Sequence, residues 1–305
     1  MTAVAPVQRR TTLAHGELAW LEAGPANAAN SADQAQPPLV LLHGIGSCAS
    51  SWRAQLANLS ADRRVLAWDA PGYGDSAPLA VSEPMAAEYG AAAAVWLAAA
   101  GVQGAVVVGH SLGALMAAAL AARPEIDLAA LVLASPAQGY ASASAEVRAA
   151  KVNERLVALR TLGAERMAAE RAARLCAPGA PGAALAEVRN NMARVREPGY
   201  AQAAWMLAND AIAPYLAAAR VARVARVARV AHVPVSVMCG ALDVVTPPQP
   251  AEQLAERIGA PFTLLPGVGH ACYIEDPASF DAALLAAIGR AQARHDMPAV
   301  KVRHG

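Results

Sequence analysis

Short runs of consecutive apolar residues punctuate the chain, each bounded by turn residues. They are Leu39-Val40-Leu41-Leu42, Val65-Leu66-Ala67-Trp68, Ala105-Val106-Val107-Val108, Leu128 to Ala134, Val233 to Cys239, and Phe262-Thr263-Leu264-Leu265. Runs of this length, rich in branched residues and without alternation, read as strands buried on both faces. Between them, longer segments read as helices: Ser50 to Asn58, Ser82-Glu83-Pro84 through Ala100 to a stop at Gly101, Ala114 to Leu120, Pro247-Pro248 to Ile258, and Pro277 to Ala293. Residues 11–22 differ, alternating around His15-Gly16 as a hairpin does. Strands alternating with helices predict an α/β fold with a mostly parallel, doubly wound sheet. Residues 24–38 read as a surface loop and 294–305 as a frayed polar tail.

The strand signal stops at Ser135-Pro136 and returns at Val233. In between, helical segments are expected to break at Gly163, Pro178-Gly179, Pro181-Gly182, Pro198-Gly199 and Pro214. The expected organisation is a core in two parts, 1–136 and 231–305, interrupted by an all-helical insertion over 137–230. Tyr140, Met192, Tyr200, Trp205 and Met206 are large side chains of that insertion that could face a pocket. Its end is an Arg-Val-Ala repeat over 220–230. Arginine at every third helical position drifts about 60° per step, so the charges spiral instead of forming a stripe. The repeat therefore reads as a solvated helix end.

Composition narrows the function classes. The net charge of +1 gives no electrostatic case for nucleic acid or an anionic membrane as partner. No run of about 18 strongly apolar residues appears, so no membrane-spanning helix is expected. Met1 to Arg10 lacks an apolar signal core, which points to the cytoplasm. The four cysteines, Cys48, Cys176, Cys239 and Cys272, have no C-x-x-C spacing and read as reduced, buried thiols. The seven histidines are dispersed, so neither a metal nor another cofactor is expected. Oligomeric state is left between monomer and homodimer.

The chemistry concentrates in Gly109-His110-Ser111-Leu112-Gly113, set between a buried strand and a helix. Gly-x-Ser-x-Gly in that setting is a sharp turn that lifts a serine hydroxyl above the sheet edge, its glycines removing side chains that would collide. His43-Gly44-Ile45-Gly46 follows another strand and exposes backbone N–H groups of the kind that stabilise an oxyanion. Asp69 and Asp75, in the tight Pro/Gly loop 69–76, are expected to brace that loop through side-chain to backbone hydrogen bonds. Ser111, Asp243 and His270 each follow a predicted strand. The carboxyl ends of parallel strands share one edge, where sites form. A serine there needs a base, which His270 can be near neutral pH, and the imidazolium needs a fixed anion, which Asp243 can be.

These motifs, with Asp69-Ala70-Pro71-Gly72-Tyr73-Gly74-Asp75-Ser76, Gly240-Ala241-Leu242-Asp243 and Gly267-Val268-Gly269-His270, resemble the α/β-hydrolase superfamily over about 11–136 and 231–290. The resemblance implies the α/β-hydrolase fold, with the insertion as a cap over the active site. It implies Ser111 as nucleophile, His270 as general base and Asp243 as the acid. The N–H groups of Leu112 and of Ile45, or of Gly46 in place of Ile45, would form the oxyanion hole. Gly44, Tyr140, Trp205 and Met206 are the pocket candidates. The implied reaction is hydrolysis of a small ester, lactone or thioester, as in 3-oxoadipate enol-lactonases and small carboxylesterases. A C–C hydrolase of ring-cleavage type is the alternative; it would need a cation such as Arg189, Arg194 or Arg196 for a substrate carboxylate. Acyl transfer and a non-catalytic ligand-binding member of the fold are further alternatives.

Overall fold

The computed structural model describes residues 5–25, 36–222 and 233–295. Most of the loop 24–38, the repeat beyond Ala222 and the tail beyond His295 lie outside the described residues. Eight strands form one sheet in the order β1-β2-β4-β3-β5-β6-β7-β8. They are β1 (Val7–Leu13), β2 (Gly16–Ala23), β3 (Leu39–Leu42), β4 (Val65–Trp68), β5 (Ala105–His110), β6 (Leu128–Ala134), β7 (Val235–Gly240) and β8 (Phe262–Leu265). The hairpin β1–β2 joins through an antiparallel β2–β4 pair, and every pair from β4 to β8 is parallel.

The apolar runs are continuous because each face of the sheet is covered. Val40, Leu42, Leu66, Trp68, Val107, Leu131 and Val237 point to one side, beneath α2 (Ala86–Ala99), α3 (Leu112–Ala121) and α8 (Pro248–Ile258). Their neighbours Leu39, Leu41, Val65, Ala67, Val106, Val108 and Val132 point to the other, with α1 (Arg53–Asn58) and α10 (Pro277–His295). Strand alternation thus splits one run between two cores. Helix α3 is buried along its whole length, between the sheet, α2 and α7 (Ile212–Ala222). That explains a sequence with no polar face.

Between β6 and β7 stand α4 (Ala145–Arg171), α5 (Gly182–Met192), α6 (Glu197–Asn209) and α7, with no strand among the described residues. Gly163, at φ 74° and ψ 164°, kinks α4 as its position in the pattern suggested. Pro178-Gly179 lies in the non-helical stretch before α5, as expected, and the remaining prolines act differently. Pro181 is the N-cap of α5, while Pro198 and Pro214 sit in the first turns of α6 and α7. A proline there removes an N–H that has no helical partner, so it opens a helix instead of ending one. Likewise α2 starts at Ala86, past Pro84, because its free N–H groups find two carboxylates. Glu88 accepts from Met85 N–H at 2.8 Å, and Asp210, between α6 and α7, accepts from Ala86 N–H at 2.7 Å.

Asp69 braces its loop, accepting from Ala49 N–H at 2.8 Å and from Asp75 N–H at 3.4 Å. Asp75 does not do so through its own side chain. Its carboxylate reaches outward to Arg10 at 2.7 Å and Gln8 at 2.6 Å, tying the loop to β1. All four cysteines are free and buried. Among the described residues, no helix is long and apolar enough to cross a membrane.

Candidate active site

The carboxyl ends of β3, β5, β7 and β8 bring the motifs to one edge of the sheet. Ser111 stands between β5 and α3 at φ 53° and ψ −117°. A side chain rarely adopts this backbone, and here the surroundings impose it. Ser111 N–H donates to the Ala134 carbonyl at 2.9 Å, and its own carbonyl accepts from Ala114 and Ala137. A Cβ at Gly109 would strike Gly113 and Ala114, and one at Gly113 would strike the carbonyls of Leu42 and His43. Gly44 is held to glycine by Ser111 itself, whose Cβ would lie 2.8 Å from an added one.

His270 and Asp243 are joined by a 2.8 Å hydrogen bond from Nδ1 to Oδ2, with side chains 3% and 0% exposed. Since Nδ1 is engaged, Nε2 is the nitrogen left to exchange a proton. Burial alone would raise the Asp243 carboxyl. The His270 hydrogen bond and charge, with the N–H groups of Thr246 and Val245, outweigh burial and hold it at about 2. Asp243 is therefore an anion across the neutral range. Thr246, at the end of the same loop, adds a hydroxyl 2.9 Å from Asp243 Oδ2, 3.1 Å from His270 Nδ1 and 2.9 Å from the Ser135 carbonyl.

Two further histidines frame the site in neutral form. His43 Nε2 accepts from Ala70 N–H at 3.0 Å, which makes Nδ1 the donor to the Gly44 carbonyl at 2.9 Å. His110 Nε2 donates to the carbonyl of His270 at 2.8 Å. Burial, reinforced by His270, pushes the His110 imidazole down to about 3. Glu275 grips the same loop from below, accepting from Gly269 N–H at 3.0 Å and from Ala177 N–H at 2.7 Å. The His270 loop is thus tied both to the elbow and to the segment before α5.

Ser111, His110 and His270 border a cavity of about 30 Å³. Ser111, His110 and His270 form its floor, Gly44 to Ser47 one wall, and Val188, Asn191 and Met192 of α5 the roof. Ile45 and Gly46 both line it, while Leu112 is buried at the start of α3. Of the pocket candidates, Gly44 belongs to it and Tyr140, Trp205 and Met206 do not. Helix α6 is packed too deeply for Met206 to reach it: Met206 is fully buried among Tyr200, Ala203 and Leu207. Tyr140 packs against the same cluster. None of Arg189, Arg194 and Arg196 lines the cavity. Arg194 reaches Ser50 Oγ from outside, and Arg196 donates to the Ser76 carbonyl. Asn191 carried no sequence signal, because its partners Cys48 and Ser50 lie far away in the chain. Thr246 and Glu275 carried none either, each joining a near partner, Asp243 or Gly269, to a distant one, Ser135 or Ala177.

A serine at a strained strand–helix turn, beside an aspartate-held histidine and under a helical roof, defines a class. The sequence model of the Alpha/beta hydrolase family matches residues 39–283. The chain belongs to that family and is a hydrolase. Over 263 residues it is 28% identical to RutD, a candidate carbamate hydrolase of Escherichia coli, the match covering 82% of this chain and 90% of that one. Its fold is similar to that of an esterase from Thermogutta terrifontis (TM-score 0.76, 22% identity, 94% of this chain and 99% of that one). It is also similar to a hydrolase from Pseudomonas aeruginosa PA01 (TM-score 0.72, 26% identity, 92% and 98%). A third similar fold is the enol-lactonase of Burkholderia xenovorans LB400 (TM-score 0.73, 22% identity, 92% and 100%).

Proposed function

We propose that the enzyme cleaves a small carboxylic ester, lactone or thioester through an acyl-enzyme on Ser111. The observation that carries this reading is the shared cavity: Ser111 and His270 face one small space, and Asp243 holds His270 Nδ1 at 2.8 Å. In the first half-reaction Ser111 Oγ bonds to the carbonyl carbon as His270 Nε2 takes its proton. The oxyanion is held by the N–H groups of Leu112 and of Ile45 or Gly46. His270 then gives the proton to the departing alkoxide or thiolate. In the second half, water loses a proton to the same nitrogen, attacks the acyl carbon and restores Ser111.

The helices between β6 and β7 act as the cap. Helix α5 contributes Val188, Asn191 and Met192 to the lining, so substrate enters against this helix. The C–C hydrolase alternative is weaker, since among the described residues no arginine or lysine lines the cavity to bind a substrate carboxylate. The test is labelling by a fluorophosphonate together with turnover of p-nitrophenyl esters. Both are expected in the wild type and lost in Ser111→Ala. Turnover retained without Ser111 overturns the reading.

A further inference from the structure

Two residues lining the cavity carry a buried side-chain atom with no hydrogen-bond partner: His110 Nδ1 and Asn191 Nδ2. They differ in kind and in position. His110 Nε2 donates to a carbonyl, so its Nδ1 is an acceptor. That atom is backed by Gly44, standing 3.3 Å from where a Cβ on Gly44 would be. Asn191 Nδ2 is a donor on the roof. A side chain only 6% exposed leaves that donor little access to solvent. Leaving a buried donor unpaired costs free energy, so each such group calls for a partner.

Hydrogen bonds outside the cavity engage the oxygen end of the Asn191 amide. Arg194 Nη1 donates to Ser50 Oγ at 3.4 Å, and the Ser50 hydroxyl, 3.1 Å from Cys48 Sγ, donates to Asn191 Oδ1 at 2.9 Å. Cys48 Sγ adds a second donor to the same oxygen at 3.4 Å, and burial keeps that thiol protonated. Neither Cys48 nor Ser50 lines the cavity. The oxygen is thus engaged, and the NH₂ group is the unpaired end. Among the described residues, no Lys, Arg, Asp or Glu lines the cavity with it.

We infer that Asn191 is a specificity-determining residue. It selects a neutral substrate with an uncharged hydrogen-bond acceptor, such as an ether or carbonyl oxygen, within a few bonds of the scissile carbonyl. This rests on the hydrolase reading above. An ester lacking that acceptor leaves the Nδ2 donor unpaired and is selected against.

Isosteric pairs test it on either side of the ester: p-nitrophenyl methoxyacetate against butyrate, and 2-methoxyethyl acetate against butyl acetate. Each kcat/KM is normalised to alkaline hydrolysis and measured for wild type, Asn191→Leu and Asn191→Ala. The alanine variant avoids overfilling the roof. In at least one pair the preference for the oxygen-bearing ester is expected to fall roughly tenfold, with turnover of the all-carbon ester kept or raised. A merely structural role would lower both members alike. Preferences unchanged in both pairs overturn the inference while Ser111-dependent turnover leaves the hydrolase reading standing. Wild-type turnover of none of the four esters, with no fluorophosphonate labelling, removes the hydrolase reading and the inference with it.

Discussion

Asp243 Oδ2 and His270 Nδ1 meet at 2.8 Å, almost shielded from solvent, although 27 residues separate them in sequence. The bond keeps Nδ1 protonated and so leaves Nε2 basic. Asp243→Asn retains the shape but offers the ring an amide, favouring the wrong tautomer. The expected outcome is a fall in kcat on the order of 10⁴, with substrate binding little changed. Steady-state kinetics on a p-nitrophenyl ester checks it.

Thr246 touches both partners of that bond and the Ser135 carbonyl. Thr246→Val keeps the volume and removes the hydroxyl. It should lower kcat roughly tenfold through a less well-held Asp243–His270 pair, with KM nearly constant. A change confined to KM would count against this role.

His110 gives the protein an acid-sensitive limb. Its folded value of about 3 lies below the ordinary 6.5, so the neutral ring stabilises the fold fully above pH 6.5. That contribution is lost as pH falls from 6.5 toward 3, at about 1.4 kcal/mol per pH unit. His43, also lowered by burial, acts in the same direction, because its Nε2 must stay free to accept from Ala70. His110→Asn should flatten the slope of unfolding free energy against pH in that window. Urea titrations at several pH values measure it.

Two helical glycines should respond to alanine with opposite signs. In the first turn of α6, Gly199 lies back to back with Gly72, and a Cβ there would strike the Gly72 backbone. Gly199→Ala is expected to destabilise by about 1–3 kcal/mol despite alanine's higher helix propensity. Exposed Gly289, in α10, has nothing within 4 Å of an added Cβ. Gly289→Ala should stabilise by about 0.5–1 kcal/mol. Thermal unfolding of the two variants against wild type decides both.

The features legible in the sequence were those fixed locally. A fully buried strand must be a continuous apolar run, so β3 to β7 stood out by their own residues. The elbow glycines could be read because the clash they avoid is with residues within one turn and the adjoining strand. Asn191 was not legible, because the hydroxyl that orients it lies 141 residues away. The Glu275 partner Ala177 is 98 residues away, and the Thr246 partner Ser135 is 111. Tyr140, Trp205 and Met206 lie away from this cavity for a related reason. Size marks a side chain as able to fill a pocket. For Trp205 and Met206 the direction depends on how α6 is rotated against a core that its alanine-rich sequence does not specify, and for Tyr140 on the path of the segment between β6 and α4.

The most direct measurement is kcat/KM for p-nitrophenyl esters, the butyrate and methoxyacetate together, in wild type and Ser111→Ala. Intact-mass analysis of the wild type during turnover would accompany it. The account predicts an acyl adduct on the wild-type chain and a loss on the order of 10⁶ in the variant. Equal turnover by the two proteins, with no adduct, would contradict it.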